Sequence, residues 1–285
     1  MKSSLELNNS ITNNFKAVNY KLLIVPFVLV CGLFAYYFIN YDGGSYSKTY
    51  VSIQENLFYY LNTNLSAFPS FQLNITQIGD VFVGLSLISM FIILAPKLWE
   101  GLLASSAISL IASGVLKNIF DMPRPAKRID PDLFVIIGER HSGYSSLPSG
   151  HSITIFVVFT ILLFAFMPRK RTSKLLWYTG MLSLGFIVAL SRVAIGAHFP
   201  IDVLSGSIIG FSSTVLGIIL CNKWQVFSWL NNKKIYPIVM VVILAWIGCI
   251  VFKIFKTNLL IFYISILALL MTLYFIARSY VKNKN

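Results

Sequence analysis

Eight apolar runs, each long enough to cross a membrane as a helix, recur along this chain. They occupy residues 21–39, 80–96, 100–116, 152–168, 175–191, 201–221, 236–254 and 259–277. A helix rises ~1.5 Å per residue and the hydrocarbon core of a bilayer is ~30 Å thick, so runs of about this length suffice. A soluble domain could not bury so much apolar surface, since 56% of the residues are hydrophobic and 12% are charged. The sequence therefore predicts an all-α, polytopic transmembrane helix bundle with about eight spans.

The distribution of basic residues orients these spans. If the N-terminus is cytoplasmic, fourteen of the 23 Lys and Arg residues lie inside, among them the cluster Arg169-Lys170-Arg171, and eight of the ten acidic residues lie outside. Cytoplasmic segments of membrane proteins carry such an excess of Lys and Arg. We expect a multi-pass membrane protein with both termini in the cytoplasm. This topology accounts for most of the +13 net charge, so no nucleic-acid partner is expected.

The chain shows no repeat and no low-complexity linker, so its parts are defined by the spans. Residues 1–20 are polar and are interpreted as a cytoplasmic tail, residues 21–221 as a six-helix membrane core, and residues 222–285 as two additional C-terminal helices. Of the outside segments, residues 40–78 are polar and aromatic and show no catalytic motif, whereas residues 117–150 are crowded with charge. All three histidines, His141, His151 and His198, lie on this outer face.

Two basic residues follow the third apolar run. Lys117 and Arg124 are seven apart, and a proline interrupts the helix between them. An ammonium and a bidentate guanidinium beside the membrane surface suit a phosphate group. Taken alone, the two residues are better explained by anchoring at the headgroup layer, because basic side chains at helix ends commonly lie at the interface.

The fourth apolar run begins with Pro148-Ser149-Gly150-His151. Pro-Ser-Gly predicts the start of a helix, whose free backbone N–H groups and positive dipole end favour an anion. A histidine in the first turn can then hold and donate a proton beside that anion. The alternative is an ordinary helix cap with an incidental histidine.

Charged residues also lie between the fifth and sixth apolar runs, in Ser191-Arg-Val-Ala-Ile-Gly-Ala-His-Phe-Pro-Ile-Asp202. Arg192 offers a second guanidinium, and His198 and Asp202 are four residues apart. If the sixth helix begins near Pro200, Asp202 can reach the His198 ring and fix its tautomer. A structural ion pair is the alternative, although ionisable residues inside membrane proteins are commonly functional.

The predicted topology brings these three stretches to one side of the membrane. A pocket that gathers three cations, two histidines and a helix N-terminus is well suited to a dianionic phosphate. Together the three stretches resemble, in spacing and residue type, the three-part signature of the type 2 phosphatidic acid phosphatase (PAP2) superfamily. The matching residues are Lys117-x6-Arg124-Pro125, Pro148-Ser149-Gly150-His151 and Ser191-Arg192-x5-His198-x3-Asp202. That superfamily also contains vanadium haloperoxidases and some soluble acid phosphatases.

The resemblance implies roles for these residues. His198 would attack phosphorus and form a phosphohistidine, Asp202 would orient His198, and His151 would protonate the leaving group. The phosphate oxygens would be held by Lys117, Arg124, Ser149, Gly150, Ser191 and Arg192. The family chemistry needs no metal, and no cofactor is expected. Bacterial membrane members usually have six helices and an outward-facing site, so the last two helices here are a departure from the family pattern.

These implications predict a lipid phosphatase at the outer face of the membrane. Candidate substrates are lipid A phosphate, undecaprenyl diphosphate, phosphatidylglycerol phosphate and phosphatidic acid, and the charged outer loop slightly favours lipid A or a diphosphate. Two alternatives stay open: a lipid phosphotransferase that uses the same site, and a transporter of anionic lipids that uses the cations as a transit site.

Overall fold

The computed structural model describes residues 2–224 and 226–282, which form helices joined by loops and turns without a β-strand. In chain order the α-helices are α1 Lys2–Lys16, α2 Ile24–Ile39, α3 Tyr46–Ser52, α4 Glu55–Leu65, α5 Pro69–Thr76, α6 Val81–Ser86, α7 Phe91–Leu94, α8 Pro96–Phe120, α9 Pro125–Arg128, α10 Gly150–Ala165, α11 Arg171–Ala194, α12 Pro200–Trp224, α13 Tyr236–Lys256 and α14 Leu260–Lys282. The segments that contain α2, α8, α11, α12, α13 and α14 are long and apolar enough to cross a membrane, and α10 is a shorter apolar helix. The predicted all-α membrane bundle is confirmed.

The second predicted span, residues 80–96, is interrupted. Helices α6 and α7 are separated by turn residues 87–90, and residues 96–100, between the second and third predicted spans, form the first turn of α8. Pro96 starts α8 because proline lacks the N–H that a preceding helix would need, and Ala95 before it is accordingly outside the helical region. The turn residue Ser89 is fully buried, and its hydroxyl lies 2.7 Å from the hydroxyl of Thr272 in α14. Polar contacts of this kind allow non-helical backbone inside a membrane protein.

The centre of the bundle is α10, whose side chains are mostly buried between α8, α11 and α12. Small residues allow α12 to approach it closely. A Cβ atom at Gly206 would lie 2.5 Å from the carbonyl oxygen of Ser149, and one at Gly210 would lie 2.5 Å from that of Ile153. No larger residue fits at either position without separating the helices. This contact fixes the N-terminus of α10 beside the N-terminus of α12.

Both ends of the chain pack on this core. Helix α1 buries Ile11 and Phe15 completely, and the Asn14 amide donates to the Ala165 carbonyl at the end of α10, 2.9 Å away. Residues 2–16, interpreted from sequence as part of a tail, are therefore an amphipathic helix in contact with the core. Helices α13 and α14 pack against each other and against α6.

Candidate active site

The turn between α11 and α12 brings the charged residues of the third motif together. Arg192 lies in the last turn of α11, His198 in the turn, and Asp202 in the first turn of α12. The backbone N–H groups of Ala197 and His198 both donate to the Arg192 carbonyl, at 3.0 and 3.2 Å. Gly196 has a φ of +74°, a conformation that glycine adopts at no steric cost. A short turn of residues 195–199 therefore joins α11 to α12.

His198 and Asp202 form a buried pair. Their closest atoms, Nδ1 of His198 and Oδ2 of Asp202, are 3.3 Å apart, and both residues are almost fully buried. The same carboxylate oxygen accepts the Phe199 N–H at 2.8 Å. The Asp202 carboxylate therefore reaches the imidazole ring, and its role in orienting that ring stays a prediction.

Two further residues donate hydrogen bonds to the Asp202 carboxylate, and neither was predicted from the sequence. The Ser146 hydroxyl donates to Oδ2 of Asp202 at 2.6 Å, and the Tyr50 hydroxyl donates to Oδ1. Burial and the neighbouring carboxylate raise the pKa of Tyr50 well above its ordinary value, so it stays protonated and continues to donate. Tyr50 belongs to residues 40–78, where the sequence showed no catalytic motif. No local pattern marks it, because its partner is 152 residues away.

The other ring nitrogen of His198 faces Arg124. Nη1 of Arg124 is 3.4 Å from Nε2 of His198 and 3.3 Å from the Ala197 carbonyl oxygen. A guanidinium can only donate, so Nε2 is the acceptor and the ring proton lies on Nδ1, toward Asp202. Burial, followed by the charges of Arg124 and Arg192, lowers the pKa of His198 well below its ordinary value. His198 is thus a neutral imidazole with its Nε2 lone pair directed at a cationic group.

Arg192 is almost fully buried and only partly paired. Its Nη1 donates to the Thr76 hydroxyl at 3.1 Å, while its Nε has no hydrogen-bond partner within the described residues. A buried guanidinium N–H without a partner is costly, and an anion in the pocket would supply the missing acceptor. Thr76, like Tyr50, comes from the outer segment that lacked a motif.

The N-terminus of α10 carries the second motif. Ser149 caps the helix, accepting the Ser152 N–H at 3.4 Å. A Cβ atom at Gly150 would lie 3.7 Å from Nζ of Lys117, so the ammonium of the first motif is beside this helix start. His151 follows in the first turn of α10 and packs against Gly79.

The ninth predicted site residue, Ser191, is buried in α11, and its hydroxyl donates to the Val188 carbonyl at 2.5 Å. The hydrogen of this hydroxyl is therefore used within its own helix. His141, to which the sequence analysis gave no role, also lies near the site. Burial and the charges of Arg192 and Arg124 lower its pKa, against an opposing effect of Glu139. Across residues 2–224 and 226–282, no group of three His, Cys, Asp or Glu side chains is arranged to hold a metal ion.

An apolar groove of about 460 Å³ adjoins the site. Its walls come from α2, α8 and α12, and include Phe34, Leu116 and Ile209. Tyr50 lines the groove with its ring and contacts Asp202 with its hydroxyl. The groove therefore ends next to the buried carboxylate.

Comparison with known proteins gives a consistent family. The sequence profile of the PAP2 superfamily matches residues 98–227. A lipid A 1-phosphatase of Rhizobium etli is 28% identical over 142 residues, 45% of this chain and 57% of that protein. A putative undecaprenyl-diphosphatase of Escherichia coli is 31% identical over 168 residues, 55% of this chain and 75% of that protein. Phosphatidylglycerophosphatase B of Bacillus subtilis is 29% identical over 119 residues, 40% of this chain and 54% of that protein.

The alignments with lipid A 1-phosphatases of Rhizobium etli and Rhizobium johnstonii span 57% and 41% of those proteins, about half of their length. The crystal structure of Aquifex aeolicus LpxE has a TM-score of 0.48 and 22% identity to this chain, over 59% of this chain and 95% of that one. The region that matches the superfamily profile contains all three motifs, and the alignment at 31% identity covers 75% of the Escherichia coli protein. The chain therefore belongs to the PAP2 superfamily.

Proposed function

We propose that this protein is a phosphatase of membrane lipid phosphates or diphosphates, with His198 as the nucleophile. The observation that carries the proposal is the neutral His198 ring, held through Nδ1 by Asp202 and presenting Nε2 to the pocket beside Arg124. Lys117, Arg124 and Arg192 lie close enough to one another for their charges to interact. These groups fit the charge and the reactivity that phosphoryl transfer requires.

In the first step, the Nε2 lone pair of His198 attacks phosphorus and forms a P–N bond. The P–O bond to the lipid breaks, and the leaving oxygen takes a proton from protonated His151. The ring of His198 becomes cationic, and the Asp202 carboxylate stabilises it through Nδ1–H. Lys117, Arg124, Ser149, Gly150, Ser191 and Arg192 are proposed to hold the phosphoryl oxygens as charge develops on them, which for Ser191 requires its hydroxyl to turn away from the Val188 carbonyl.

In the second step, neutral His151 accepts a proton from water while the water oxygen attacks the phosphohistidine. The P–N bond breaks, inorganic phosphate leaves, and His198 returns to its neutral form. Each step is completed by side chains of this chain, and the proposed reaction is metal-independent. If the phosphate of a second lipid took the place of water, the same site would act as a phosphotransferase.

The substrate class follows from the groove beside the site. A groove lined by apolar side chains suits a hydrocarbon chain, and it opens among helices that are apolar enough to lie in a bilayer. The names of the relatives give their substrates as lipid A, undecaprenyl diphosphate and phosphatidylglycerol phosphate. We favour lipid A phosphate or a diphosphate over phosphatidic acid, because the outer segment 117–150 is rich in charge.

The proposed location is the outer face of the bacterial inner membrane. The site lies at the start of α10, whereas the cluster Arg169-Lys170-Arg171 follows its other end. Because basic clusters favour the cytoplasm, this arrangement supports a periplasmic site and cytoplasmic termini.

The test is phosphate release from purified protein in detergent, with lipid A, undecaprenyl diphosphate, phosphatidylglycerol phosphate and phosphatidic acid each supplied with EDTA. We expect release from at least one lipid, and none from His198→Ala. A transient phosphohistidine should be trapped from 32P-labelled substrate in the wild type alone. Equal release by the variant would refute His198 as nucleophile, and labelled lipid products without free phosphate would indicate phosphotransfer.

A further inference from the structure

Residues 74–83, which precede and begin the interrupted span, contact two residues of the site. The Thr76 hydroxyl accepts the hydrogen bond from Nη1 of Arg192, 3.1 Å away. Gly79 packs against His151, and a Cβ atom at Gly79 would lie 2.7 Å from Cβ of His151. Neither Thr76 nor Gly79 belongs to the three motifs, and both lie in a stretch built of short α-helical and 3-10 turns.

The same stretch is attached to the C-terminal hairpin, α13–α14, at three polar contacts. The Asn74 amide oxygen accepts the Ile261 N–H at 3.1 Å, and Asp80 pairs with Lys253 at 2.8 Å. The Trp246 indole N–H donates to the Phe82 carbonyl at 2.8 Å. These contacts occur along the stretch at both sides of Thr76 and Gly79.

Apolar packing completes the attachment. Val83 of α6 is fully buried in a cluster formed with α13 and α14, which includes Ile243, Ile250 and Phe262. A short helix such as α6 gains little stability from its own hydrogen bonds, so its position depends on this packing. The hairpin thus supplies the support that an unbroken span would provide for itself.

We propose that Thr76 is a positioning residue for Arg192, and that the α13–α14 hairpin serves the site by holding residues 74–83 in place. The proposal rests on the proposed function in one respect, that Arg192 binds phosphate. The proposal assigns a structural role to α13 and α14, the two additional helices, for which the sequence indicated none.

The physical reason lies in the geometry of the guanidinium group. With Nη1 bonded to Thr76, the fork cannot rotate freely, and the unpaired Nε is kept facing its ligand. A donor that is already oriented loses less entropy when phosphate binds and needs no reorganisation as charge develops. Without Thr76, Arg192 keeps its charge and loses this orientation.

The experiment measures the affinity of the full-length protein for inorganic phosphate by isothermal titration in detergent. Thr76→Val keeps the shape of the side chain and removes the acceptor, and we expect about 10-fold weaker binding from the loss of one charge-assisted hydrogen bond. Thr76→Ser restores the hydroxyl and should bind within about twofold of the wild type. In an Arg192→Lys background, Thr76→Val should have no further effect, since the guanidinium it orients is gone.

The hairpin is tested by a pair of matched tryptophan variants. Trp246→Phe removes the N–H that holds Phe82 without changing charge. Trp177→Phe removes an equivalent 2.9 Å bond to the Leu163 carbonyl at the other end of the bundle. We expect Trp246→Phe alone to speed amide hydrogen exchange in residues 74–83 and to weaken phosphate binding about two- to threefold.

The outcomes separate the inference from the proposed function. Wild-type protein that binds no phosphate would overturn both. Wild-type binding with an unchanged affinity in Thr76→Val would overturn the role of Thr76, and equal behaviour of Trp246→Phe and Trp177→Phe would overturn the role of the hairpin. A Thr76→Val loss that persists in full in the Arg192→Lys background would show that Thr76 does not act through Arg192.

Discussion

Replacing Tyr50 by phenylalanine tests the site at a residue outside the three motifs. The substitution removes only the hydroxyl that donates to Oδ1 of Asp202, and it keeps the ring that lines the groove. The other bonds to the carboxylate, from Ser146, Phe199 and His198, all reach Oδ2. Among the residues that the structure describes, Tyr50→Phe therefore leaves Oδ1 of a fully buried carboxylate without a hydrogen-bond donor.

The size of the effect follows from that missing bond. A hydrogen bond to a buried charged group contributes about 1.5–3 kcal/mol. Asp202 has to stay ionised while His198 becomes cationic, so we expect most of this energy to be lost from the transition state. At about 1.4 kcal/mol per factor of ten, kcat should fall by roughly 10- to 100-fold. KM should change by no more than about threefold, because Tyr50 is not among the residues proposed to hold the phosphoryl oxygens.

The assay is initial-rate phosphate release from a lipid phosphate in detergent micelles, with thermal unfolding measured in parallel to confirm folding. Tyr59→Phe is the matched control, since its hydroxyl contacts Glu55 in the same outer segment and has no contact with the site. A Tyr50→Phe enzyme with kcat within twofold of the wild type would refute the reasoning. So would a change confined to KM, or an equal loss in Tyr59→Phe.

Three further predictions concern pH, packing and the groove. Because the pKa of His198 is lowered, its neutral form persists as pH falls, and the acid limb of kcat/KM should lie well below pH ~6.5, the ordinary histidine value, in a pH–rate profile. Asn62→Ala removes a buried amide that bonds Val135, Val193 and Ala194, and should lower unfolding free energy by about 2 kcal/mol in chemical denaturation, while the exposed Asn64→Ala should not. Ser205→Trp should fill the groove and raise KM for a long-chain lipid phosphate, leaving KM for a short-chain soluble analogue unchanged.

The same lowered pKa has a consequence for stability at low pH. In the folded protein His198 stays neutral below its ordinary pKa, whereas in the unfolded chain the imidazole takes up a proton there. The unfolded state then binds more protons, so the free energy of unfolding decreases as pH falls below ~6.5. Denaturant titrations of the wild type and of His198→Gln at pH 7 and pH 5 isolate this contribution, and an equal change with pH in the two proteins would contradict it.

The sequence predicted the membrane bundle and the grouping of the motifs because both depend on local information. Apolar runs report which segments lie in the bilayer, and the spacing of Arg192, His198 and Asp202 fits within one helix end, one turn and one helix start. Tyr50 and Thr76 could not be found in this way. Each contacts its partner across more than 100 residues, 152 and 116 respectively, and lies in a polar segment without a periodic pattern.

The interrupted span escaped prediction for a different reason. The mean hydropathy of residues 80–96 is that of a membrane helix, but this average does not show where backbone hydrogen bonds are broken. The break depends on tertiary contacts, chiefly the pairing of Ser89 with Thr272 and the burial of Val83 against α13 and α14. Those partners lie about 180 residues further along the chain, so the sequence of residues 80–96 alone gives no information about them.

The distribution of charge in the site shows what the rest of the fold must supply. Lys117, Arg124 and Arg192 surround the His198–Asp202 pair, so the pocket without an anion holds like charges close together in a poorly solvated region. The contacts that hold these cations in the site lie away from the reacting groups. They are the close approach of α12 to α10 at Gly206 and Gly210, and the hydrogen bonds of residues 74–83 to the C-terminal hairpin. Under the proposed function, a phosphate dianion would relieve the repulsion and give Nε of Arg192 an acceptor, and it would bind the folded chain and not the unfolded one. At a phosphate concentration of 100 Kd this linkage would add about 2.7 kcal/mol to the free energy of unfolding. Phosphate binding would thereby stabilise the arrangement of side chains that phosphoryl transfer requires.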